Sequence, residues 1–346
     1  MTESIELLHR MVSIPSLSGQ EEELAGFLVR EMAARGFRAR VDEVGNAIGE
    51  LGEGPEEILL LGHMDTVPGQ VPVQIAGGAL FGRGAVDAKG PLAAFISAAA
   101  RVGARPGKRL VVVGAVEEEA ATSKGARHLL RTRRPAAVII GEPSGWERIT
   151  LGYKGRLLAE YRLAQHVSHT AGPEAGVCER AVDFWLSIRD YAAAYNQGRL
   201  RHFETLDPSL RSIRSTGDGL HEEVTATIAF RIPPGLDPEA VRQGVEERAT
   251  FGAEVRFYGA EVAFRAPKNT RLVAALLTGI RAAGGQPAFS LKTGTSDMNV
   301  VGPVWNCPIA AYGPGDSALD HTPDEHIDLA EYEKAIDALA EALRIL

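Results

Sequence analysis

Two histidines and a series of carboxylates are spaced along this sequence in a way that suits metal chemistry. His63 and Asp65 stand two residues apart just after an apolar run, Ile58 to Leu61. Asp87 follows in the Gly-rich stretch FGRGAVDAKG, Glu117, Glu118 and Glu119 follow RLVVVGAV, Glu142 follows AAVIIG, and His321 opens HTPDEH. On a strand, residues i and i+2 point to the same face, so His63 and Asp65 can serve one site. A lone histidine at a strand end is more often a hydrogen-bonded structural residue, and a lone acid is more often a solvated loop charge. Collected along one edge, however, two imidazoles and several carboxylates would repel one another without cations, because unpaired buried carboxylates are costly. Zn2+ or a similar divalent ion accepts such nitrogen and oxygen donors and, in a catalytic site, leaves a position for water. Two ions ~3.5–4 Å apart can share one carboxylate, and bound water then gives up its proton near pH ~7 to a neighbouring free carboxylate.

His63, the EEE run and Glu142 each end or follow a short apolar run, the pattern of a buried strand, while Asp87 lies near the end of a Gly-rich loop. Helices are expected between the runs. Ile5 to Val12 gives one apolar face and stops at Ile14-Pro15. Ser18 with Glu21 matches a capping box and predicts a helix carrying Leu24, Phe27, Leu28 and Met32, which Gly36 ends. Phe37 to Val44 alternates like a strand before the Gly45-Asn46 turn. Pro91 to Val102 reads as a small, apolar helix, and Ser123 to Arg131 as another. Strands alternating with helices, with acids at the strand ends, predict an α/β fold with a doubly wound mixed sheet and a site along one edge.

Near Gly152 the pattern changes. Tyr153 to Leu163 alternates apolar and polar residues, as a half-solvated strand does. A helix from Glu179 to about Tyr195, a polar loop, an alternating strand from Glu222 to Ile232, a helix from Pro238 and a strand from Ala253 to Phe264 predict an inserted α+β unit. The expected boundaries are 1–152 and 265–346 for the larger domain and 153–264 for the insertion. After Asn269 come a helix to Ala283, a loop with GTSDMN, the strand CPIAAYG and an amphipathic final helix.

Composition agrees with a soluble globular protein. The chain has 346 residues, 45% of them hydrophobic, which suits two globular domains. No apolar run approaches the ~20 residues of a membrane span. The start, MTESIELLHRMVSIPS, lacks the apolar core of a signal peptide. A formal net charge of −8 argues against nucleic acid as a partner. Cys178 and Cys307 lie far apart, which fits a reducing, cytoplasmic setting.

HMDTVP, GRGAVDAKG, the EEE run, GEP and HTPDEH, taken in order, resemble the motifs of the M20 metallopeptidase family, whose members include deacetylases, desuccinylases, carboxypeptidases and aminoacylases. GYKGRL and HTAGP resemble its lid or dimerisation domain. KTGTSDMN, Lys292 to Asn299, points within the family to hydrolases of lysine and arginine biosynthesis that release lysine or ornithine from an acidic amino-group carrier protein. Small-molecule deacylases, acting on N-acetylornithine or N-succinyl-diaminopimelate, are the alternative. The resemblance implies two Zn2+ per subunit, with Co2+ as a substitute, and a homodimer formed through the inserted domain. It implies that His63, Asp87, Glu119, Glu142 and His321 bind metal, with Asp87 bridging, and that Asp65 orients His63. Glu118 is the implied general base. The spacing from the EEE run to Gly125-Ala126 is longer than usual in the family, which keeps Glu117 as the alternative.

In the insertion, His169 of HTAGP matches a lid histidine that in family dimers reaches the partner's active site and stabilises an oxyanion; His166 is the competing candidate. Arg231 resembles an arginine that holds a substrate carboxylate, although the asparagine that often precedes it is absent. Gly294, Thr295 and Ser296 form a loop suited to substrate contact or, equally, a tight turn. Lys154 reads as a strand-end charge.

Overall fold

Alternation of apolar runs with amphipathic stretches produces alternating strands and helices. The computed structural model describes residues 2–169 and 172–346. In chain order the elements begin α1 (Glu3–Ser13), α2 (Glu22–Ala34), β1 (Arg38–Val41), β2 (Ala47–Leu51), β3 (Glu56–His63), β4 (Gln74–Ala76), β5 (Ala79–Phe81), α3 (Lys89–Val102) and β6 (Lys108–Ala115). There follow α4 (Lys124–Thr132), β7 (Ala137–Gly141), β8 (Arg148–Tyr153), β9 (Gly155–His166), α5 (Val177–Asn196), β10 (Asp207–Gly217), β11 (His221–Ile232), α6 (Pro238–Glu246), β12 (Glu254–Glu261) and β13 (Phe264–Arg265). The chain closes with α7 (Arg271–Ala282), β14 (Ala288–Lys292), α8 (Asp297–Trp305), β15 (Ile309–Ala311), β16 (His326–Asp328) and α9 (Leu329–Ile345). Contacts divide it into one unit of Met1–Gly152, Ala266–Leu291 and Ser296–Leu346 and another of Tyr153–Arg265 and Lys292–Thr295.

The larger unit is built on a mixed sheet in the order β1-β2-β6-β3-β7-β15-β8, with β14 beside β8. β3 runs parallel to β6 and β7, and β15 parallel to β7, while β2 and β8 are antiparallel to their neighbours β6 and β15. The parallel strands are covered on both faces, which is why they read as unbroken apolar runs. Ile58, Leu60, Leu110, Val112 and Ile139 pack into one cluster with residues of α1, α2, α3, α7 and α9. By alternation Leu59, Leu61, Val111 and Val113 point the other way, and they too are fully buried.

One row of glycines brings α3 down onto the strand ends. Gly62 is opposite Gly114 on β6 and Gly141 on β7. A Cβ on Gly141 would sit 2.8 Å from the Phe95 ring, and one on Gly114 would sit 3.1 Å from Leu92. With the row bare, α3 approaches closely through Leu92 and Phe95, and the loop that enters it brings Asp87 to His63 at the carboxyl end of β3.

The smaller unit is an antiparallel sheet in the order β10-β11-β9-β12. One face, with Leu157, Tyr161, Val224, Ile228 and Phe230, packs on Phe184 and Ile188 of α5 and Val241 and Val245 of α6. Tyr161 and Phe184 stack with centroids 4.3 Å apart.

Several expectations need correction. Residues 207–217, expected within a polar loop, form the edge strand β10, whose pairing is interrupted by a bulge between Leu210 and Ser212. Residues 297–305, expected as loop, form α8. Ser18 is not a helix cap: Glu21 precedes α2 without a side-chain cap, and the Ser18 hydroxyl donates to Asp65 Oδ2 at 2.7 Å. Lys292–Thr295, expected in the larger domain, groups with the smaller unit. The reason is a set of bonds to Lys154, whose N–H donates to Lys292 O at 3.2 Å and whose carbonyl accepts from Thr295 Oγ1 at 3.2 Å. Among the described residues no helix is long and apolar enough to cross a membrane.

Candidate metal centre

The site lies in the larger unit where β3, β6 and β7 end. His63 is the last residue of β3 and is buried. Its Nδ1 lies 3.1 Å from Asp65 O and 3.4 Å from Asp65 Oδ1, which leaves Nε2 to face Asp87 Oδ1 at 3.1 Å. The other Asp87 oxygen faces His321 Nε2, also at 3.1 Å, and that imidazole reaches Glu119 Oε1 at 2.7 Å. Asp87 therefore presents one carboxylate oxygen to each histidine, the arrangement a bridging ligand needs. Ligand atoms of His63, Asp87 and Glu119 all lie within 4.8 Å of one another.

The EEE run leaves β6 through a left-handed residue, Glu117, at φ 57°. That turn separates the three side chains. Glu118 Oε2 stands 4.0 Å from His63 Nε2, while Glu117 accepts from Thr122 Oγ1 at 2.7 Å and pairs with Lys124 at 3.2 Å. Asp65 fixes the run from below, accepting the N–H of Glu118 at 3.1 Å and of Glu119 at 3.0 Å. One buried carboxylate thus orients an imidazole and a backbone loop together.

The donor set carries more negative charge than its own cations can balance. Burial alone would raise the Asp87 carboxyl, but hydrogen bonds from His321 and His63 outweigh it and hold it below the ordinary range. Burial pushes Glu118 well up, with the His63 charge opposing and those of Glu142, Glu119 and Asp297 adding to the rise. Burial and the neighbouring Asp87 push Glu119 up as well. Hydrogen bonds to Asp87 and Glu119 lift His321 to about 10. For His63, burial would lower the value, yet the bonds to Asp65 and Asp87 raise it well above normal. Imidazoles drawn towards protonation beside carboxylates drawn towards neutrality form a set that divalent cations, with their strong positive charge, would satisfy.

The comparisons with known proteins agree with that chemistry. Residues 59–345 match the peptidase family M20/M25/M40. This chain belongs to the M20 peptidase family. It is 49% identical over 345 residues to the "[LysW]-lysine hydrolase" of Deinococcus radiodurans, covering 98% of this chain and 95% of that one. It is 31% identical to the "[LysW]-lysine/[LysW]-ornithine hydrolase" of Sulfurisphaera tokodaii over 99% and 95% of the two chains. Among solved structures, an M20 metallo-carboxypeptidase from Sulfolobus solfataricus superposes with a TM-score of 0.82 at 20% identity, over 100% of this chain and 99% of that one. A dinuclear metal-binding M20 peptidase from Bacillus subtilis gives 0.67 at 16% identity, over 98% and 96%. At those identities the two structures speak for the M20 fold.

The remaining expected residues of this M20 chain are placed as follows. Glu142 directly follows β7, close enough for its charge to act on Glu118. Ser296 is buried and caps α8, its hydroxyl accepting the N–H of Met298 at 3.2 Å. In the smaller unit, Arg231 Nη1 donates to Thr295 Oγ1 at 2.8 Å, and Gly294 is open around its Cα. Lys154 is fully buried, its ammonium donating to Asp207 and Thr205. His166 packs on His221 with ring centroids 4.6 Å apart, and His169 is exposed. Residues 170 and 171 of HTAGP lie outside the described residues.

Three residues that position the site were missed. Ser18 completes the Asp65 cluster, and Asp297, at the start of α8, adds its charge to Glu118. The third, Glu325, is fully buried, accepts the N–H of Val86 at 3.0 Å and of Asp87 at 3.2 Å, and pairs with Arg83 at 2.5 Å. It pins the loop that presents Asp87. The only signal was an acid inside HTPDEH, where any of several roles was open. Glu325→Ala should therefore weaken zinc binding by roughly 10–100-fold, the usual cost of losing support behind a ligand. Competition with a chromophoric chelator reads this directly, and unchanged affinity would show that the loop holds without it.

Proposed function

We propose that this M20 chain is a cytoplasmic two-metal amide hydrolase that releases lysine or ornithine from the γ-carboxyl of the terminal glutamate of an amino-group carrier protein of the LysW kind. The observation that carries the reading is the joint presence of the converging donors, His63, Asp87, Glu119 and His321 with Glu118 beside them, in a chain alike over its full length to hydrolases named for that reaction. His63, Asp87, Glu119, Glu142 and His321 would hold two Zn2+ or Co2+ ions, with Asp87 between them. Such ions supply Lewis acidity and bring the pKa of a bound water near ~7.

The chain's own residues do the rest. Asp65 keeps the His63 ring fixed and aligns the backbone of Glu118. Glu118 Oε2 takes a proton from the attacking water as the carbon–oxygen bond forms, and returns it to the departing nitrogen as the carbon–nitrogen bond breaks. The amine leaves neutral and protonates in water.

The experiment that tests the substrate compares amine release from aminoacylated carrier protein with that from N-acetylornithine at equal enzyme. The carrier conjugate should be the faster substrate; a faster rate on N-acetylornithine moves the reading to a small-molecule deacylase. Enzyme and carrier are both acidic, so encounter must rely on local arginines, which far outnumber lysines in this chain. Added salt should then slow the conjugate more than a short acyl-lysine mimic, because exposed charges are screened over about 10 Å.

A further inference from the structure

Between α1 and α2 runs a short segment, residues 14–18, that carries no metal donor and yet is joined to both ligand-bearing loops. Its course starts with Pro15. A residue before proline is driven out of helical geometry, and Ile14 is extended at φ −95° and ψ 112°, so α1 stops and the Ile14 carbonyl is free of the helix. Beyond it the segment lies beside the residues that follow His63. Leu17 makes a parallel bridge with Thr66, and the Ser16 carbonyl accepts the Thr66 N–H at 2.8 Å. The Ser16 hydroxyl donates to Met64 O at 2.6 Å, and that of Ser18 to Asp65.

The Asp87 loop reaches the same segment through Lys89. This residue opens α3 and is 1% exposed, although lysines are rarely buried so completely. Gly84 makes its course possible. A Cβ there would lie 3.1 Å from Lys89 Cδ and 2.8 Å from Thr66 Cγ2, so the stem passes where a bare Cα leaves room. At its end Nζ donates to Ile14 O at 2.7 Å, its one hydrogen bond to a described residue. Burial draws the Lys89 ammonium down to about 7, with the charges of Glu325 and Asp65 opposing, and charged or neutral the amine can donate to Ile14.

We infer that segment 14–18 is a clip for the metal centre, and that Lys89 and Ser16 are its positioning residues. Ser16 fastens it to Met64, next to His63, and Lys89 fastens it to the loop of Asp87. Together they set the separation of two ligands whose donor atoms face each other at 3.1 Å. Neither residue coordinates an ion or acts on the scissile bond. The inference rests on the metal centre of the functional reading above and is independent of the acyl substrate.

Zinc affinity is measured by competition with a chromophoric chelator, starting from the zinc-loaded enzyme, for wild type, Lys89→Met, Ser16→Ala and the double variant. Methionine keeps a long apolar stem and loses the donor; alanine loses only the hydroxyl. Each single change should weaken zinc binding roughly 10-fold, the low end of the loss expected behind a ligand. Either change opens the clip, so the double variant should be little worse than the singles, not the roughly 100-fold weaker that independent sites would give. The visible spectrum of the Co2+-loaded single variants should shift too, because it reports ligand geometry. A lower melting temperature with zinc affinity and cobalt spectrum both unchanged would mean that these bonds only stabilise the fold, and the inference falls. A roughly 100-fold loss in the double variant also overturns it. If Lys89→Met does not fold, Ser16→Ala decides through the same affinity and spectrum. Wild type that takes up no zinc overturns the metal reading and the clip with it, whereas equally tight zinc in wild type and variants overturns the clip alone.

Discussion

Replacing Glu118 by glutamine should leave the metal content intact and lower kcat by roughly 10²–10⁴, the range set by loss of a general base. Glutamine keeps the size of the side chain but accepts no proton. The choice between adjacent glutamates rests on where each carboxylate is used. Glu118 Oε2 is 4.0 Å from the His63 ring, inside the donor set. Glu117 is turned out of it, tied to Thr122 and Lys124, with its N–H on Glu21 at 3.0 Å. Glu117→Gln should therefore change turnover only a few-fold, through the loop. Steady-state kinetics with metal analysis of both variants settles the assignment. If Glu118→Gln empties a metal site while Glu117→Gln abolishes turnover with metals bound, the roles are shifted by one residue.

That ambiguity shows where sequence stops being informative. The strands ending at His63, Ala115 and Gly141 were legible because both of their faces are buried, which makes their apolar character continuous. The residues after them were legible as donors by type. Which of three glutamates enters the site depends on one left-handed backbone residue, and no side-chain pattern announces that at a non-glycine position. β10 was read as loop because edge strands carry polar residues and its bulge breaks the alternation. α8 was hidden by Gly302-Pro303 within it. Ser18 was misread for a physical reason: a serine three residues before a glutamate satisfies the capping pattern, yet a buried carboxylate 47 residues away offered its hydroxyl a better partner. Glu325 is of the same kind, its role set by long-range partners rather than by its neighbours in sequence.

Chelation should abolish activity, and Zn2+ or Co2+ should restore it, because the donor set is a poor ion-free structure. Within it, His321 is raised to about 10 by the carboxylates of Asp87 and Glu119, so at neutral pH its imidazole holds a proton on the nitrogen that a cation needs. His63 is raised in the same direction, chiefly by Asp65 and Asp87 once they overcome its burial. Cation binding must displace these protons, so affinity should fall as the pH falls and rise as it approaches the His321 value. Calorimetry at neutral pH in two buffers of different ionisation enthalpy should register proton release on zinc uptake. Asp87→Ala should weaken both sites, because its two oxygens face different histidines at 3.1 Å each, whereas His63→Ala should weaken mainly one. Full activity in a rigorously metal-free preparation would end the two-metal reading. Zinc uptake without proton release would instead mean that the imidazoles are neutral before the metal arrives, and that carboxylate repulsion is relieved by some other cation of the chain.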